Sequence, residues 1–502
     1  MRITRTQLVS AGPLIALGVV VAALFVFLLT ISPYPAGDDP GYHTMVIKYL
    51  MLNHDMHFTM PFFPQLGQLW GSVRFVTPLV VSTFATVTGI TDVFRLSIGF
   101  AALCAALALI PVYLLIAQWL RSRTVAVLAV AYLAFSKFYL ANFFQGSYEQ
   151  YTGALFLSWV LYAQYRWTTT KAIRWLWTGI ALAAVLYKTH ELGFLVAVLF
   201  VLVSTLNAVR VRWGLRWFIP ALVLSMTALG AFMALNDTYF AASMIDYPVR
   251  KMLGTDEGTP AIAVVLLAIG AAVFLLRRFQ FEVLAYFGIA LMLSQSAFLG
   301  SSFYPYRFNL YFLQAVALLI AVALDLLLRS VRRLRGISVP IVILLFMSLI
   351  VIPQYLHIRG LGLWITGQKR NPESVVLADD VAMYRWIKDH TPKDAIFAAP
   401  FKWGYYLPAI AERSVVVDDA IGSDSRDVRW NLAGQTAQLF VEPSAEKAAA
   451  LAKQLNVRYV LWDAIFSKYP ENHRAYDQEK FGDPAYFREA NRINNTVLYE
   501  VL

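Results

Sequence analysis

The sequence predicts a polytopic α-helical membrane protein with a soluble α/β domain at its C-terminal end. Three observations carry this. Of 502 residues, 59% are hydrophobic and only 15% charged, whereas soluble chains carry about 25% charged residues. Apolar runs of roughly 18–22 residues, the length that crosses a bilayer, recur as far as residue 354. From residue 365 onward the composition turns polar and strand-like runs begin.

The apolar runs fall at 9–31, 93–118, 124–141, 150–167, 174–188, 190–208, 217–236, 260–276, 281–299, 308–328 and 338–354, which makes about eleven spans. The first follows "MRITRTQ". It is too long for the apolar core of a cleaved leader and no small-residue cleavage site follows it, so a retained signal anchor is expected. The net charge of +11 resides mostly in short connections such as "WLRSR", "VRVRWGLRW", "LLRRF" and "RSVRRLRG". Basic residues clustered at every second connection mark the cytoplasmic side and make a nucleic-acid partner a poor reading. The N-terminus is therefore expected inside and the C-terminal domain outside, on a chain that passes the cell membrane many times.

Residues 61–91, "PFFPQLGQLWGSVRFVTPLVVSTFATVTGIT", are apolar enough to span. A span here would move every later basic connection outside. Broken by Pro61, Pro64, Gly67, Gly71 and Pro78, the segment is expected to be re-entrant or interfacial. The single cysteine, Cys104, lies in an apolar run and reads as packing.

The domain boundaries read as 1–364 for the membrane part and 365–502 for the external part. Within the latter, "AIFAA" and "RSVVVDD" have strand character, and "SAEKAAALAKQLNVRYVLWD" reads as an amphipathic helix running into a buried strand. The stretch from residue 471 reads as loops ending in an edge strand.

With this sidedness the polar insertions share one face: "AGDDPGYH", "NHDMH", "FQGSYEQ", "YKTHE", "NDTYFAASMIDYPVRKMLGTDEGTP" and "SSFYPYRFN". Acids, cations and tyrosines at the outer membrane surface suit a substrate with a lipid tail and an anionic head. Glycosyl transfer from a lipid-phosphate sugar needs a carboxylate that takes the acceptor's proton. It also needs a cation that stabilises the departing phosphate.

The order of these motifs resembles the GT-C superfamily of integral-membrane glycosyltransferases, which use polyprenyl-phosphate-linked sugars. The matching features are the acidic "GDDPGYH" after the first span, "QGSYEQYTGALFL" running into a helix, and a late "YPYRF" opening another. A terminal domain then begins "YRWIKDHTPKDAIFAAP". The resemblance implies an inverting transferase whose base is Asp39 or Asp38, with Asp39 preferred. An Asp before Pro40 is also a common helix start, so one of the two reads equally well as a cap. Arg307 matches the family's late arginine facing the lipid phosphate, and an interfacial anchor among aromatic residues is its plainer reading. Arg250, Lys251 and Lys188 are further candidates for the phosphate. His43, Tyr148, Glu149, His190, Glu191, Tyr304 and Tyr306 are expected to line the cleft, although "KTHE" reads equally as a solvated turn.

Partners implied are a polyprenyl-phosphate sugar donor, a glycan, lipid or protein acceptor, and membrane lipids. Glu149 lies where related oligosaccharyltransferases place an acidic motif that helps hold a divalent metal. The chain lacks their D-x-D and D-x-E spacing, so no metal ligand is assigned and a divalent cation stays open. His54, Asp55 and His57 form a polar triplet with the same ambiguity. The competing reading is a lipid or glycan transporter, against which stand helix interiors nearly free of charge and the lack of an internal repeat.

Overall fold

The structure is a computed structural model. It describes residues 5–30, 39–53, 76–144, 146–213, 270–271, 274, 281–294, 308–333, 338–352, 378–399, 406–416, 426–462 and 477–502. The chain divides into two compact units.

One unit comprises Met1–Ile31, Ala101–Phe143 and Glu149–Leu361. Helix α1 is Arg5–Thr30; α2 (Asp39–Asn53), α3 (Val76–Thr88) and the start of α4 (Val93–Leu107) belong to the other unit. Helices α5 (Leu109–Trp119), α6 (Arg123–Ala134), α7 (Lys137–Phe144), α8 (Tyr148–Thr170), α9 (Ile173–Thr189) and α10 (Glu191–Trp213) follow. Then come α11 (Phe281–Ser294), α12 (Asn309–Arg333) and α13 (Val339–Phe346), the last continued by a π-helical turn at Met347–Val351. Among the described residues, three helices are long and apolar enough to cross a membrane: Ala11–Thr30, Val93–Trp119 and Asn309–Arg332.

Helix α12 is the centre of its unit. Every residue from Phe308 to Leu324 is buried, the pattern of a helix surrounded by other helices. It packs against α6, α11 and α13. By contrast Leu14, Ile15, Val19 and Val26 of α1, and Leu344 and Leu349 beyond α12, are exposed. Apolar side chains on so much of the surface suit hydrocarbon as the surrounding medium.

The turns are short and chemically defined. Ser122 caps α6 by accepting from the Val125 amide at 3.4 Å. Arg121 and Lys171, at the α5–α6 and α8–α9 turns, take left-handed backbone with φ of 54° and 56°. Between α9 and α10 a single residue, His190, leaves the helical conformation (φ −158°, ψ 98°).

The other unit comprises Ser32–Phe100, Phe144–Tyr148 and Gly362–Leu502. Its five-stranded sheet runs β2-β1-β3-β5-β4, from β1 (Ile396–Ala398), β2 (Ser414–Val415), β3 (Tyr459–Trp462), β4 (Phe487–Ile493) and β5 (Thr496–Val501). β1 pairs parallel with β2 and β3, whereas β5 is antiparallel to both β3 and β4. Helices α14 (Ala378–His390), α15 (Arg426–Val441) and α16 (Ala445–Gln454) complete it. The final strand, expected at an edge, is interior. Thr496–Tyr499 is buried on both faces, while "FREANRI" of β4 is largely exposed and forms the rim. Asp380 at the start of α14 accepts from the Thr496 hydroxyl at 2.7 Å and locks the helix to β5.

In the same unit α2 packs on α3 and the start of α4 through Ile47, Val81, Ala85 and Val93. The first half of the segment expected to be re-entrant lies outside the described residues. Its second half is α3, whose 13 residues reach about 20 Å against a hydrocarbon core of about 30 Å.

The "KTHE" turn is not solvated. Its His190 is 1% exposed and stands between α8 and α12. A side chain on Gly153 of α8 would meet His190 Cβ at 2.8 Å and the Tyr311 hydroxyl at 2.9 Å. One on Gly193 would meet the same hydroxyl at 2.7 Å. Close approach of the three segments therefore requires glycine at both places. Gly153→Ala gains about 1 kcal/mol of helix propensity, but overpacking against a Cβ that cannot move aside costs about 1–3 kcal/mol. The expected result is a lowered thermal unfolding midpoint, whereas Gly179→Ala, with only Ala163 Cβ at 3.7 Å, leaves it unchanged or raised.

Candidate functional site

The helix after the first membrane anchor begins at Asp39, with Pro40 in its first turn. Proline fits there because the first amides of a helix have no internal acceptor. His43 follows Asp39 by four residues, so the two positions share a face of α2. His43 is 6% exposed. Its ring meets Tyr42 edge-on at 5.6 Å and Tyr148 at 6.5 Å. Thr44 shares a hydrogen bond with Ser97 at 3.3 Å, joining α2 to α4. Asp38 lies outside the described residues.

Three charges hold the far end of α2. The Lys48 ammonium donates to Glu412 Oε1 at 2.6 Å, and Lys388 donates to the same oxygen at 2.7 Å. Burial pushes the Lys48 pKa down, only partly opposed by Glu412. Burial alone would raise the Glu412 pKa, but Lys48 and Lys388 together hold it below the ordinary carboxylate range. Glu412 also sits in left-handed backbone (φ 57°, ψ 41°), where glycine is the low-cost residue. A carboxylate is kept there at a cost of about 1–2 kcal/mol.

Arg413, 3% exposed, braces the same corner. It donates from Nη2 to the Lys388 and Thr391 carbonyls at 2.6 and 2.8 Å, and from Nε to Thr391 Oγ1 at 3.1 Å. These bonds satisfy carbonyls at the end of α14, which a helix leaves open. Tyr406 is fully buried and meets Phe94 edge-on at 5.9 Å, so it is a core residue.

In the other unit, α8 opens with Glu149, 4% exposed, and α10 opens with Glu191, 9% exposed. Carboxylates at helix N-termini gain from the exposed amides there. His190 caps α10: its Nδ1 accepts the Gly193 amide at 3.1 Å and the Tyr311 hydroxyl at 2.7 Å. With Nδ1 accepting, the proton of the neutral ring is assigned to Nε2. Glu149 is four residues before Gly153, on the face of α8 that meets His190. Lys188 lies 5.0 Å from the Tyr187 ring in the last turn of α9. Below this joint, Tyr286 donates to the Tyr311 carbonyl at 3.1 Å and to Gln314 Oε1 at 3.2 Å, and Gln314 donates to Ser158 Oγ at 3.0 Å.

Arg250, Lys251, Tyr304, Tyr306 and Arg307 lie outside the described residues, as do His54, Asp55 and His57. Among the described residues no three His, Cys, Asp or Glu side chains converge as a metal site. Sequence reasoning missed Lys48, Glu412 and Arg413. A lysine eight residues after Pro40 gives no sign that its counter-charge is 364 positions away.

No family model matches the chain. Solved structures do. The chain aligns with the archaeal oligosaccharyltransferase AglB of Archaeoglobus fulgidus in complex with an inhibitory peptide and a dolichol-phosphate. The TM-score is 0.64 at 15% identity, over 99% of this chain and 75% of that one. It aligns with ArnT of Cupriavidus metallidurans bound to undecaprenyl phosphate at TM-score 0.59 and 14% identity, over 97% and 98% of the two chains. Arabinofuranosyltransferase AftD from mycobacteria gives TM-score 0.56 at 14% identity, over 97% of this chain and 40% of that one. The chain thus has the fold of the GT-C membrane glycosyltransferases, as the order of its motifs implied.

The ion pairs make an asymmetric expectation. Glu412→Gln leaves two lysines without their shared counter-charge. Cutting a buried pair costs about 3–5 kcal/mol, which the 30% exposure of the Glu412 side chain reduces to about 1–2 kcal/mol. Lys48→Met leaves Glu412 its bridge to Lys388 and costs less. Because the folded pKa of Glu412 is depressed, its stabilisation is full above the ordinary carboxylate range. It is lost as pH falls through the depressed value. Thermal unfolding followed from neutral pH down to about pH 3 is expected to show this acid loss in the native chain and a shallower loss in Glu412→Gln.

Proposed function

We propose that the protein is an inverting glycosyltransferase that moves a sugar from a polyprenyl-phosphate donor to an acceptor on the external side of the membrane. The observation that carries this is the end-to-end likeness to proteins whose structures hold dolichol-phosphate and undecaprenyl phosphate. At 14–15% identity the shared fold supplies the frame, and the residues must supply the chemistry.

Asp39 takes the acceptor's hydroxyl proton as the acceptor oxygen attacks the anomeric carbon. The bond from that carbon to the phosphate oxygen breaks on the opposite face, and its electron pair leaves with the polyprenyl phosphate. Arg307 stabilises that charge, assisted by Lys188, Arg250 and Lys251. A phosphate leaves without protonation, so no general acid is needed. The start of α2 at Asp39, with buried His43 one turn later, supports the choice of Asp39 over Asp38 as base. Asp38 then has the role of capping or of tuning its neighbour by like-charge repulsion. His43, Tyr148, Glu149, His190, Glu191, Tyr304 and Tyr306 line the cleft. His190 acts there by positioning, since its Nδ1 is committed to Gly193 and Tyr311.

The basic turns at Arg121 and Lys171 support an internal N-terminus and an external C-terminal part, with the boundary between membrane and soluble parts near residue 365. No step is routed through a metal.

Removing a general base costs about 10²–10⁴-fold in rate. Asp39→Asn is expected to lose transfer on that scale in membranes supplied with lipid-phosphate sugars, while still binding undecaprenyl phosphate. Arg307→Gln is expected to weaken that binding about tenfold or more. Full transfer by Asp38→Asn, Asp39→Asn and the double variant would overturn the assignment. Flux of intact lipid-linked sugar without covalent transfer would replace it with transport.

A further inference from the structure

A groove of about 300 Å³ opens between α8, α9 and α10, away from Glu149 and His190. Val160 of α8, Ile180 of α9 and Val201 of α10 make its walls apolar, and Gly179 keeps its floor low. Two of the lining residues carry donors that are buried beside the groove. Gln164 is 6% exposed, and its Nε2 has no acceptor among the described residues. Trp175 Nε1 is likewise without one. Beside Trp175, the Arg166 guanidinium lies 5.2 Å over the indole and donates from Nη1 to Gln118 Oε1 at 3.0 Å, while its Nε has no acceptor among the described residues.

A site with apolar walls and buried unpaired N–H groups is satisfied neither by hydrocarbon nor by water alone. It matches a molecule with an apolar chain and acceptor oxygens at one end. Charge narrows the class. Arg166, Lys171 and Arg174 flank the groove, and the sequence from Gln164 to Thr178 contains no acid. Lys171 and Arg174 are exposed at the adjoining turn.

Depth narrows it further. Gln164 lies seven residues and Trp175 four residues from Lys171, or about 10 and 6 Å along their helices. The unpaired donors therefore sit just below the cations. Glycerol ester oxygens stand in that relation to a phosphate, whereas a polyprenyl phosphate has only hydrocarbon there.

We propose that this groove holds one acyl chain of an anionic glycerophospholipid. Gln164 and Trp175 turn their buried, unmet N–H groups to its ester or phosphate oxygens, and Arg166, Lys171 and Arg174 meet its headgroup charge. The proposal stands apart from the transfer reaction, since none of these residues belongs to the proposed catalytic set.

The test is native mass spectrometry of the full-length protein released from nanodiscs of phosphatidylglycerol, phosphatidylcholine or an equal mixture. Preferential retention of phosphatidylglycerol is expected. Gln164→Met combined with Trp175→Phe removes both donors at nearly constant volume and is expected to lower that retention about tenfold. Gly179→Leu fills the groove and is expected to abolish retention. Its new Cβ meets only Ala163 Cβ at 3.7 Å, and a thermal melt checks that it folds. If Gly179→Leu fails to fold, the double variant decides. Equal retention of the two lipids would overturn the proposal. So would unchanged retention in folded Gly179→Leu or in the double variant, or displacement of phosphatidylglycerol by undecaprenyl phosphate.

Discussion

Burial at the far end of α2 disfavours the charged form of a lysine, and the Glu412 carboxylate opposes that for Lys48. The remainder of that unit is arranged so that Glu412 can be there. Its backbone is left-handed, a conformation better suited to glycine. Arg413 then fastens the neighbouring carbonyls of α14, and Lys388 of the same helix supplies the second cation. The helix that carries Asp39 and His43 is thus fixed by residues more than 300 positions later in the chain. This gives a physical reason for the C-terminal sheet to share a unit with α2.

The other unit meets the opposite difficulty, because it must place polar groups among apolar helices. His190 does this by serving as the only non-helical residue between α9 and α10. Its Nδ1 takes two donors, one from the helix it caps and one from α12. Tyr286, Gln314 and Ser158 extend the pattern downward. In a low-dielectric surrounding each such bond is stronger than in water and an unmet group is more costly. These bonds therefore specify how α8, α11 and α12 register. Gly153 and Gly193 allow the approach, and the histidine and tyrosine decide where it stops.

Much of this was legible in the sequence. Most of the apolar runs coincide with described helices, three of them long and apolar enough to cross a membrane, because length and hydropathy are local properties. "AIFAA", "RSVVVDD" and "AEKAAALAKQLNVRYVLW" gave two strands and a helix-strand pair for the same reason. The final strand reads as an edge from its place at the end of a polar stretch, whereas pairing on both sides makes "TVLYEV" interior. "KTHE" looked solvated because turns usually are, and only Gly153 and Gly193, at helical positions in other stretches, hinted at a close crossing. The Lys48–Glu412 pair was invisible, since charge pairing across 364 residues leaves no periodic trace.

The turns show what the sequence keeps at a conformational cost. Left-handed backbone costs an ordinary residue about 1–2 kcal/mol and glycine almost nothing. Yet Arg121 and Lys171 occupy that conformation at the α5–α6 and α8–α9 turns. Charge at these turns therefore has a use that outweighs local strain, and orientation of the chain in the membrane is such a use. Helix α8 runs from Glu149 to the Lys171 turn, α9 runs back from Arg174 to Lys188 and His190, and α12 runs from Asn309 to Arg329 and Arg332. In α8 and α12 the buried acid or asparagine stands at the end opposite the basic residues, whereas in α9 buried His190 shares its end with Lys188. Glu149, His190 and Asn309 thereby lie at one end of the three helices, and the Lys171 turn, Arg174, Arg329 and Arg332 lie at the other.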